Sequence, residues 1–580
     1  MDKSLDRYRF ALRQARRWAA LRLPQISTRQ ALGLWILPLL FLGVFFFYPL
    51  LAIFKLVFTT AGFSWQQIDW TDIWRPFSFT LWQAALSTGL TLVVGIPSAF
   101  LFARFRFPGK RLLQVLTTLP FILPTVVVAA GFNAMLGPNG WINLGLVRLF
   151  HLETPPIQFL NTLGAILLAH IFYNTTIIIR MVGGAWANLD TRLEQAARVL
   201  GAGRWQAFRE ATLPLLRPSI LAASLLVFIF DFTSFGVVLL LGGPRFATLE
   251  VEIYSQAMQL LNLPMAGLLS LIQLLCTLAL TVLYTRLGSQ IVPLAPRPQA
   301  EALRAPNRGM ERILISGWVI VLALLLVSPL ASLALRSVTR LDANRAQTNP
   351  VTPGFTLAYY QELFINRRDA LFYVPPIAAA RNSLVYAGST VVISLTLGFL
   401  AAYALRRRSP LNRWLDPLLM LPLGASAVTL GLGFTVVFNH PPFDLRSMPF
   451  LLPVAHSLVA LPFVVRSLQP GLAAIPEHLH QSAAVLGASP WRAWREVDLP
   501  VVSRAALGSA IFAFTISLGE FGATSFLARP EYPTLPVAIY RFISQPGALN
   551  YGQALAMSTL LMLVCSAGIL AFERLNSKIF

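Results

Sequence analysis

The chain has little that reacts and little that dissolves. Of 580 residues only 12% are charged, six are histidine and two are cysteine, whereas 56% are hydrophobic. So few charges cannot clothe a soluble domain of this size, which excludes a globular water-soluble protein. Cys276 and Cys565 each lie inside an apolar run with no CxxC and no histidine cluster nearby, which removes disulfide frameworks and structural zinc. A Walker A loop needs GxxxxGK followed by Ser or Thr, and the one Gly-Lys pair, Gly109-Lys110, is followed by Arg111 and lacks the upstream glycine. The chain is therefore expected not to be an enzyme and to hold no cofactor of its own. No nucleophile, metal cluster or paired carboxylates converge either.

What is present is apolar length. Runs of about 20 residues cross roughly 30 Å of hydrocarbon as helices, and about twelve such runs occur, six in each half. They fall near 32–56, 78–104, 112–136, 158–182, 215–241 and 262–287, then near 312–336, 381–405, 413–438, 449–469, 503–528 and 550–573. The expected fold is an all-α polytopic membrane protein. A net charge of +22 would suggest nucleic acid in a soluble chain, but the basic residues crowd alternate short loops. Arg104, Arg106, Lys110 and Arg111 follow the second run, and Arg406, Arg407, Arg408 and Arg413 repeat them in the second half. That is the positive-inside pattern, it places both termini in the cytoplasm, and it speaks for membrane lipid and against nucleic acid. A basic lead of about 30 residues is too long for an ordinary signal peptide, so the first span is expected to be retained.

The chain is also a duplication. Residues 195–214, QAARVLGAGRWQAFREATLP, return at 481–500 as QSAAVLGASPWRAWREVDLP, identical at 12 of 20 positions without a gap. At the same offset of 286, His170 matches His456, Arg180 matches Arg466, Phe235-Gly236 matches Phe521-Gly522, and Ile253-Tyr254 matches Ile539-Tyr540. Upstream the offset becomes 302, with Leu119-Pro120 matching Leu421-Pro422. An even number of spans per half gives the two repeats the same orientation. The expected organisation is a basic segment at 1–30, a first repeat at 31–287, a linker at 288–311 rich in Pro and Arg, and a second repeat at 312–580.

The repeated segment reads as a helical knob. Leu193, Ala196, Ala197 and Leu200 recur at helical spacing, a glycine that tolerates the left-handed conformation ends the helix, and a second short helix carries Trp205, Phe208 and Arg209 to Leu213-Pro214. An amphipathic helix lying among headgroups would explain the Trp and Arg but not the duplicated Gly and Leu-Pro. A rigid, small-residue surface suits docking in a groove of another protein.

Small residues, then Leu-Gly-Ala, then about nine residues and Leu-Pro resemble the EAA coupling loop of binding-protein-dependent ABC importer permeases, here present twice at 188–214 and 474–500. The double length, with phrases such as ILLAHIFYN and ISLGEFGATSFLARPEYPTLPVAIY, resembles the fused branch of thiamine and ferric-iron permeases, the thiamine side more closely. The resemblance implies the ABC type I importer permease fold in a bacterial inner membrane, coupled to a cytoplasmic ABC ATPase homodimer that uses ATP and Mg, and to an extracytoplasmic solute-binding protein. It implies coupling roles for Gln195, Ala196, Ala197, Gly201, Leu213 and Pro214, and for Gln481, Ser482, Ala483, Gly487, Leu499 and Pro500. Gln195 and Gln481 stand where the family has Glu.

Ionisable groups inside spans are costly unless functional or paired. Asp231 and Glu520 lie deep in the fifth and eleventh runs, about one helical turn apart in register, and either favours a cationic solute in a shared pathway. Thiamine and ferric ion both qualify. An ion-coupled secondary transporter with about twelve spans would also place acids there, but leaves the paired loops unexplained. His170 and His456 have no carboxylate or thiol nearby in sequence, so packing is favoured over metal. Arg180 and Arg466, at the cytoplasmic ends of their spans, are expected to anchor to the interface or to the adjacent coupling loop.

Overall fold

The structure, a computed structural model, describes residues 28–59, 69–288, 303–306, 309–340, 354–365, 375–406, 409–439 and 449–577. The basic N-terminal cluster, most of the linker, and Arg407, Arg408 and Lys578 lie outside the described residues. Among the described residues ten helices are long and apolar enough to cross a membrane, and two bent helix pairs bring the number to twelve.

The first repeat comprises α1 (Gly33–Thr59), α2 (Trp70–Arg104), α3 (Lys110–Ile122), α4 (Thr125–Phe150) and α5 (Leu163–Asn188). The loop helices α6 (Thr191–Val199) and α7 (Arg204–Ala207) come next, then α8 (Leu213–Phe232), the short α9 (Gly236–Leu241) and α10 (Leu249–Tyr254), and α11 (Leu263–Gly288). The second repeat retraces this order with α12 (Gly309–Ser337), α13 (Pro376–Leu405), α14 (Pro410–Gly424), α15 (Ala427–Phe438) and α16 (Leu451–Ala473). Its loop helices are α17 (Glu477–Val485) and α18 (Pro490–Ala493), followed by α19 (Leu499–Gly519), α20 (Gly522–Leu527), α21 (Leu535–Ser544) and α22 (Ala548–Ser577).

Four apolar runs are not the straight spans expected of them. The third bends by 113° between α3 and α4, and the ninth by 94° between α14 and α15. At the first bend Leu123 is extended because it precedes Pro124, and the proline ring drives its neighbour out of the helical region. At the second, the Ser426 hydroxyl accepts the Thr429 N–H at 3.0 Å and starts α15 afresh. The fifth and eleventh runs, expected over 215–241 and 503–528, stop at Phe232 and Gly519, and the short α9 and α20 carry the remainder. Hydropathy reports apolar composition, and these breaks interrupt the helix without changing it.

In each repeat the second and fourth spans pack flank to flank, α2 on α5 and α13 on α16. A Cβ on Gly95 would stand 2.6 Å from Ile178, and one on Gly398 would stand 2.6 Å from Val464, the residue 286 positions after Ile178. Small residues permit this approach where lipid supplies no hydrophobic push between helices. The repeats also exchange their first spans: α1 packs on α13 and α15, and α12 packs on α4. Indole hydrogen bonds pin both crossings, Trp35 donating to Asn412 Oδ1 and Trp318 to Ser98 Oγ, each at 3.0 Å. The linker piece 303–306 lays the Arg304 guanidinium over the Phe105 ring at 4.7 Å.

Candidate functional site

Both repeated loops fold as helix, glycine turn and short helix. Gly201 has φ +95° and Gly487 φ +77°. The backbone bonds around them correspond: Gly201 N–H donates to Arg198 O and Ala202 N–H to Ala197 O, as Gly487 does to Ala484 and Ala488 to Ala483. These bonds satisfy the last carbonyls of α6 and α17 and need a residue in the left-handed region. Gln195, Ala196, Gln481 and Ser482 are exposed, and Ala197 and Ala483 half-buried. Leu213-Pro214 and Leu499-Pro500 begin α8 and α19.

The turn presents an apolar tip of which the sequence pattern singled out only Leu200. Val199 and Leu200 are 86% and 88% exposed, and Val485 and Leu486 are both 86% exposed. The aromatic ridge divides in two. Trp205 and Trp491 face outward, whereas Phe208 stacks on Trp186 at 5.8 Å and Trp494 meets Phe399 edge-on at 6.0 Å, anchoring each loop to its spans.

Charge ties the loops down unequally. Arg104 Nη2 lies 3.9 Å from the Glu194 carboxylate in the first repeat. In the second, the equivalent Arg406 lies 3.6 Å from Asp498, which His480 also meets at 3.0 Å. His480 occupies the position of Glu194 and Asp498 that of Thr212, so the acid has changed place around a shared arginine. Arg180 and Arg466 both bind the bent spans, Arg180 through Thr118 Oγ1 at 2.6 Å and Arg466 through Asp416 Oδ2 at 3.2 Å.

Asp231 and Glu520 line one cavity of about 370 Å³ where the repeats meet. Each carboxylate has a histidine beside it, which corrects the reading of those histidines as remote from acids. His170 Nδ1 lies 3.3 Å from Asp231 Oδ1 and its Nε2 2.8 Å from Ser234 Oγ. His456 Nε2 lies 3.2 Å from Glu520 Oε2, and its Nδ1 2.7 Å from Ser517 Oγ. Ser517 is the counterpart of Asp231 and Glu520 that of Ser234, so each histidine bridges the same two positions with acid and hydroxyl interchanged. The histidines thus pack and hydrogen-bond, and among the described residues no group of three or more His, Cys, Asp or Glu could hold a metal.

A third cavity acid, Glu250 on α10, escaped the sequence reading because it sits in the short segment TLEVEIY outside any apolar run. Its signal is the other copy, TLPVAIY, where Pro536 stands in its place. The duplicated Phe and Tyr motifs gather at the cavity, whose wall includes Phe235 and Phe521. Phe235 stacks on Phe521 at 5.5 Å, Tyr254 lies 5.4 Å from Phe235, and Tyr540 5.5 Å from Phe521. Phe235 and Phe521 are 6% and 3% exposed, whereas Phe121 and Phe230, which also line the cavity, are 39% and 36% exposed.

With this geometry in view, the family comparison is decisive. The model for the binding-protein-dependent transport system inner membrane component matches residues 91–293 and again 394–580. The chain belongs to this family. It carries the family segment twice, each copy holding one glycine-turned loop. The thiamine transport system permease protein ThiP of Escherichia coli K12 is 28% identical over 564 residues, spanning 94% of this chain and 97% of that one. ThiP of Brucella abortus is 27% identical, spanning 87% and 88%. The probable ABC transporter permease protein y4fN of Sinorhizobium fredii is 29% identical, spanning 86% and 87%. A crystal structure of a bacterial ABC transporter involved in alginate import aligns at TM-score 0.38 and 18% identity, over 48% of this chain and 99% of that one.

Proposed function

We propose that this chain is the fused membrane subunit of an ATP-driven thiamine importer in the bacterial inner membrane. The observation that carries the reading is the match to thiamine permeases along 94% of the chain. The cavity supports it: buried carboxylates suit a cation, and the surrounding phenylalanine rings suit flat heterocycles. Two copies of a cytoplasmic ATPase, using ATP and Mg, seat the tips Val199-Leu200 and Val485-Leu486 in their grooves. ATP-driven closure of those subunits pushes both loops together, parts Phe235 from Phe521, and admits solute from a binding protein docked outside. The exposed arginines near the loops and both termini face the cytoplasm.

The test is native mass spectrometry of the complex purified from its own membranes with the binding protein attached. Thiamine or a thiamine phosphate on that protein supports the reading. Ferric ion moves the chain to an iron importer, and recovery without ATPase or binding protein overturns the ATP-driven mechanism.

A further inference from the structure

A cleft of about 540 Å³ lies at the surface of the first repeat and shares no lining residue with the cavity between the repeats. Arg104, the last residue of α2, lies against loop helix α6, so the start of α2 marks the end of the molecule remote from the loops. There Asp72, Arg75, Phe79 and Trp82 of α2 line the cleft with Arg245, which precedes α10, and Glu252 within it. Asp72, Arg75, Trp82 and Arg245 are exposed and Glu252 is half-buried. Gln256 Nε2 donates to Glu252 Oε1 at 2.8 Å and holds that carboxylate in place. Two acids and two arginines thus share one cleft, and among the described residues no ion pair joins them.

The shared fold does not need these charges. Thr80 Oγ1 accepts the Leu249 N–H at 2.9 Å, and Ser383 Oγ, 303 residues after Thr80, accepts the Leu535 N–H at 2.8 Å, which aligns the two copies here. By that alignment Asp72, Arg75 and Glu252 correspond to Pro375, Ala378 and Ala538, and Arg245 to Glu531. The surroundings are those of a membrane interface. Trp70, Trp74 and Trp82 are all exposed on the opening turns of α2, and indoles favour the level of the lipid headgroups. From Trp82 the exposed face of α2 continues through Ala85, Gly89 and Val93, three or four residues apart and leading away from the cleft. An exposed apolar stripe within a span turns to acyl chains.

We propose that this cleft binds the headgroup of one zwitterionic phospholipid, taken from the leaflet remote from the coupling loops. The phosphate lies between the Arg75 and Arg245 guanidiniums, and the ammonium turns to Asp72, Glu252 and the face of Trp82. The acyl chains run along Ala85, Gly89 and Val93. An anionic headgroup would satisfy the arginines and leave the two acids beside it unmatched, so the cleft selects the zwitterion. The stripe on α2 favours a lipid over a soluble zwitterion, because only acyl chains use it. The site is independent of the solute that enters the central cavity.

The experiment places the full chain in nanodiscs of phosphatidylethanolamine and phosphatidylglycerol in equal amounts, then counts the lipids retained on mild detergent extraction by native mass spectrometry. Wild type is expected to keep one phosphatidylethanolamine in preference to phosphatidylglycerol. Arg75→Gln with Arg245→Gln lowers retention of both lipids about tenfold, since two exposed charge-assisted contacts are lost. Asp72→Asn with Glu252→Gln keeps a lipid bound but levels the preference between the two. Tm stays level in both double variants, because the second repeat folds without these charges. Should Glu252→Gln disturb the Gln256 contact and lower Tm, Asp72→Asn alone tests the preference. Glycerophosphoethanolamine, which has the headgroup charges without the chains, is expected to displace nothing; if it empties the cleft, the site serves a soluble zwitterion and the lipid assignment falls. Retention equal in wild type and both double variants overturns the proposal. If capture of the solute-binding protein weakens about tenfold in those variants instead, the cleft is a protein-docking face.

Discussion

Replacing both turn glycines, Gly201→Ala with Gly487→Ala, isolates the loops from everything else in the molecule. A Cβ at either position meets nothing within 4 Å, so no clash or cavity results. The whole cost is conformational: φ of +95° and +77° puts an L-residue in the left-handed region, at about 1–2 kcal/mol each. The turn relaxes in preference to the spans, since α6 and α17 are held to the rest by few buried groups. With 1.4 kcal/mol per factor of ten, each substitution lowers the population of the docking-competent turn about tenfold. The two sites are independent, so the double variant loses about 100-fold in affinity for ATPase subunits that must engage both loops. The assay is titration of purified ATPase onto the permease in nanodiscs, with Tm of the permease alone as control. Affinity within threefold of wild type in the double variant, at unchanged Tm, would refute the reasoning, because a turn that tolerates Ala is not the rigid knob proposed. Gly201→Glu with Gly487→Glu adds charge beside the apolar tips and is expected to abolish association without preventing membrane insertion.

The two loop anchors should respond differently. Arg406→Gln takes from the buried Asp498 its arginine partner and is expected to cost about 2–3 kcal/mol in loop stability, read as weaker ATPase binding. Arg104→Gln breaks a 3.9 Å contact to the partly exposed Glu194 and costs under about 1 kcal/mol; equal effects would show that burial of the acid does not matter. Phe235→Ala with Phe521→Ala removes the central stack and is expected to raise ATP-independent leak of radiolabelled thiamine from loaded vesicles, and a vesicle as tight as wild type places the closure elsewhere. Gly95→Leu forces a side chain into Ile178 and should destabilise by about 1–3 kcal/mol, seen as a lower Tm, whereas Gly184→Leu on the open face of α5 should not. If both shift Tm alike, the helix contact is not what limits stability.

Much of the candidate site could be read before any coordinates. The glycine turn was legible because a duplicated Gly after an amphipathic stretch has one local conformation that uses it. Asp231 and Glu520 were legible because charge inside an apolar run is rare and costly. Glu250 was not, because TLEVEIY looks like an ordinary polar connection until α10 folds back against α11 and α15. The pairing of His170 with Asp231, and of His456 with Glu520, was hidden because each joins groups about 60 residues apart in separate elements.

By itself the sequence determined what depends on composition, period and repetition: the apolar crossings, two parallel halves, the basic clusters in alternate short loops and the loops between the fourth and fifth runs. Each of these is a local or one-dimensional property of the chain. Only the tertiary structure decided which faces meet. It exchanged α1 and α12 between the repeats, broke four apolar runs into bent or shortened helices, stacked Phe235 on Phe521, and made the Glu520 carboxylate the cap of α20. The reason is that lipid is as apolar as leucine, so hydropathy marks a residue as within the membrane without telling which side turns to lipid and which to a neighbouring helix. That choice rests on close packing and on hydrogen bonds between distant segments, and it exists only once the helices have come together.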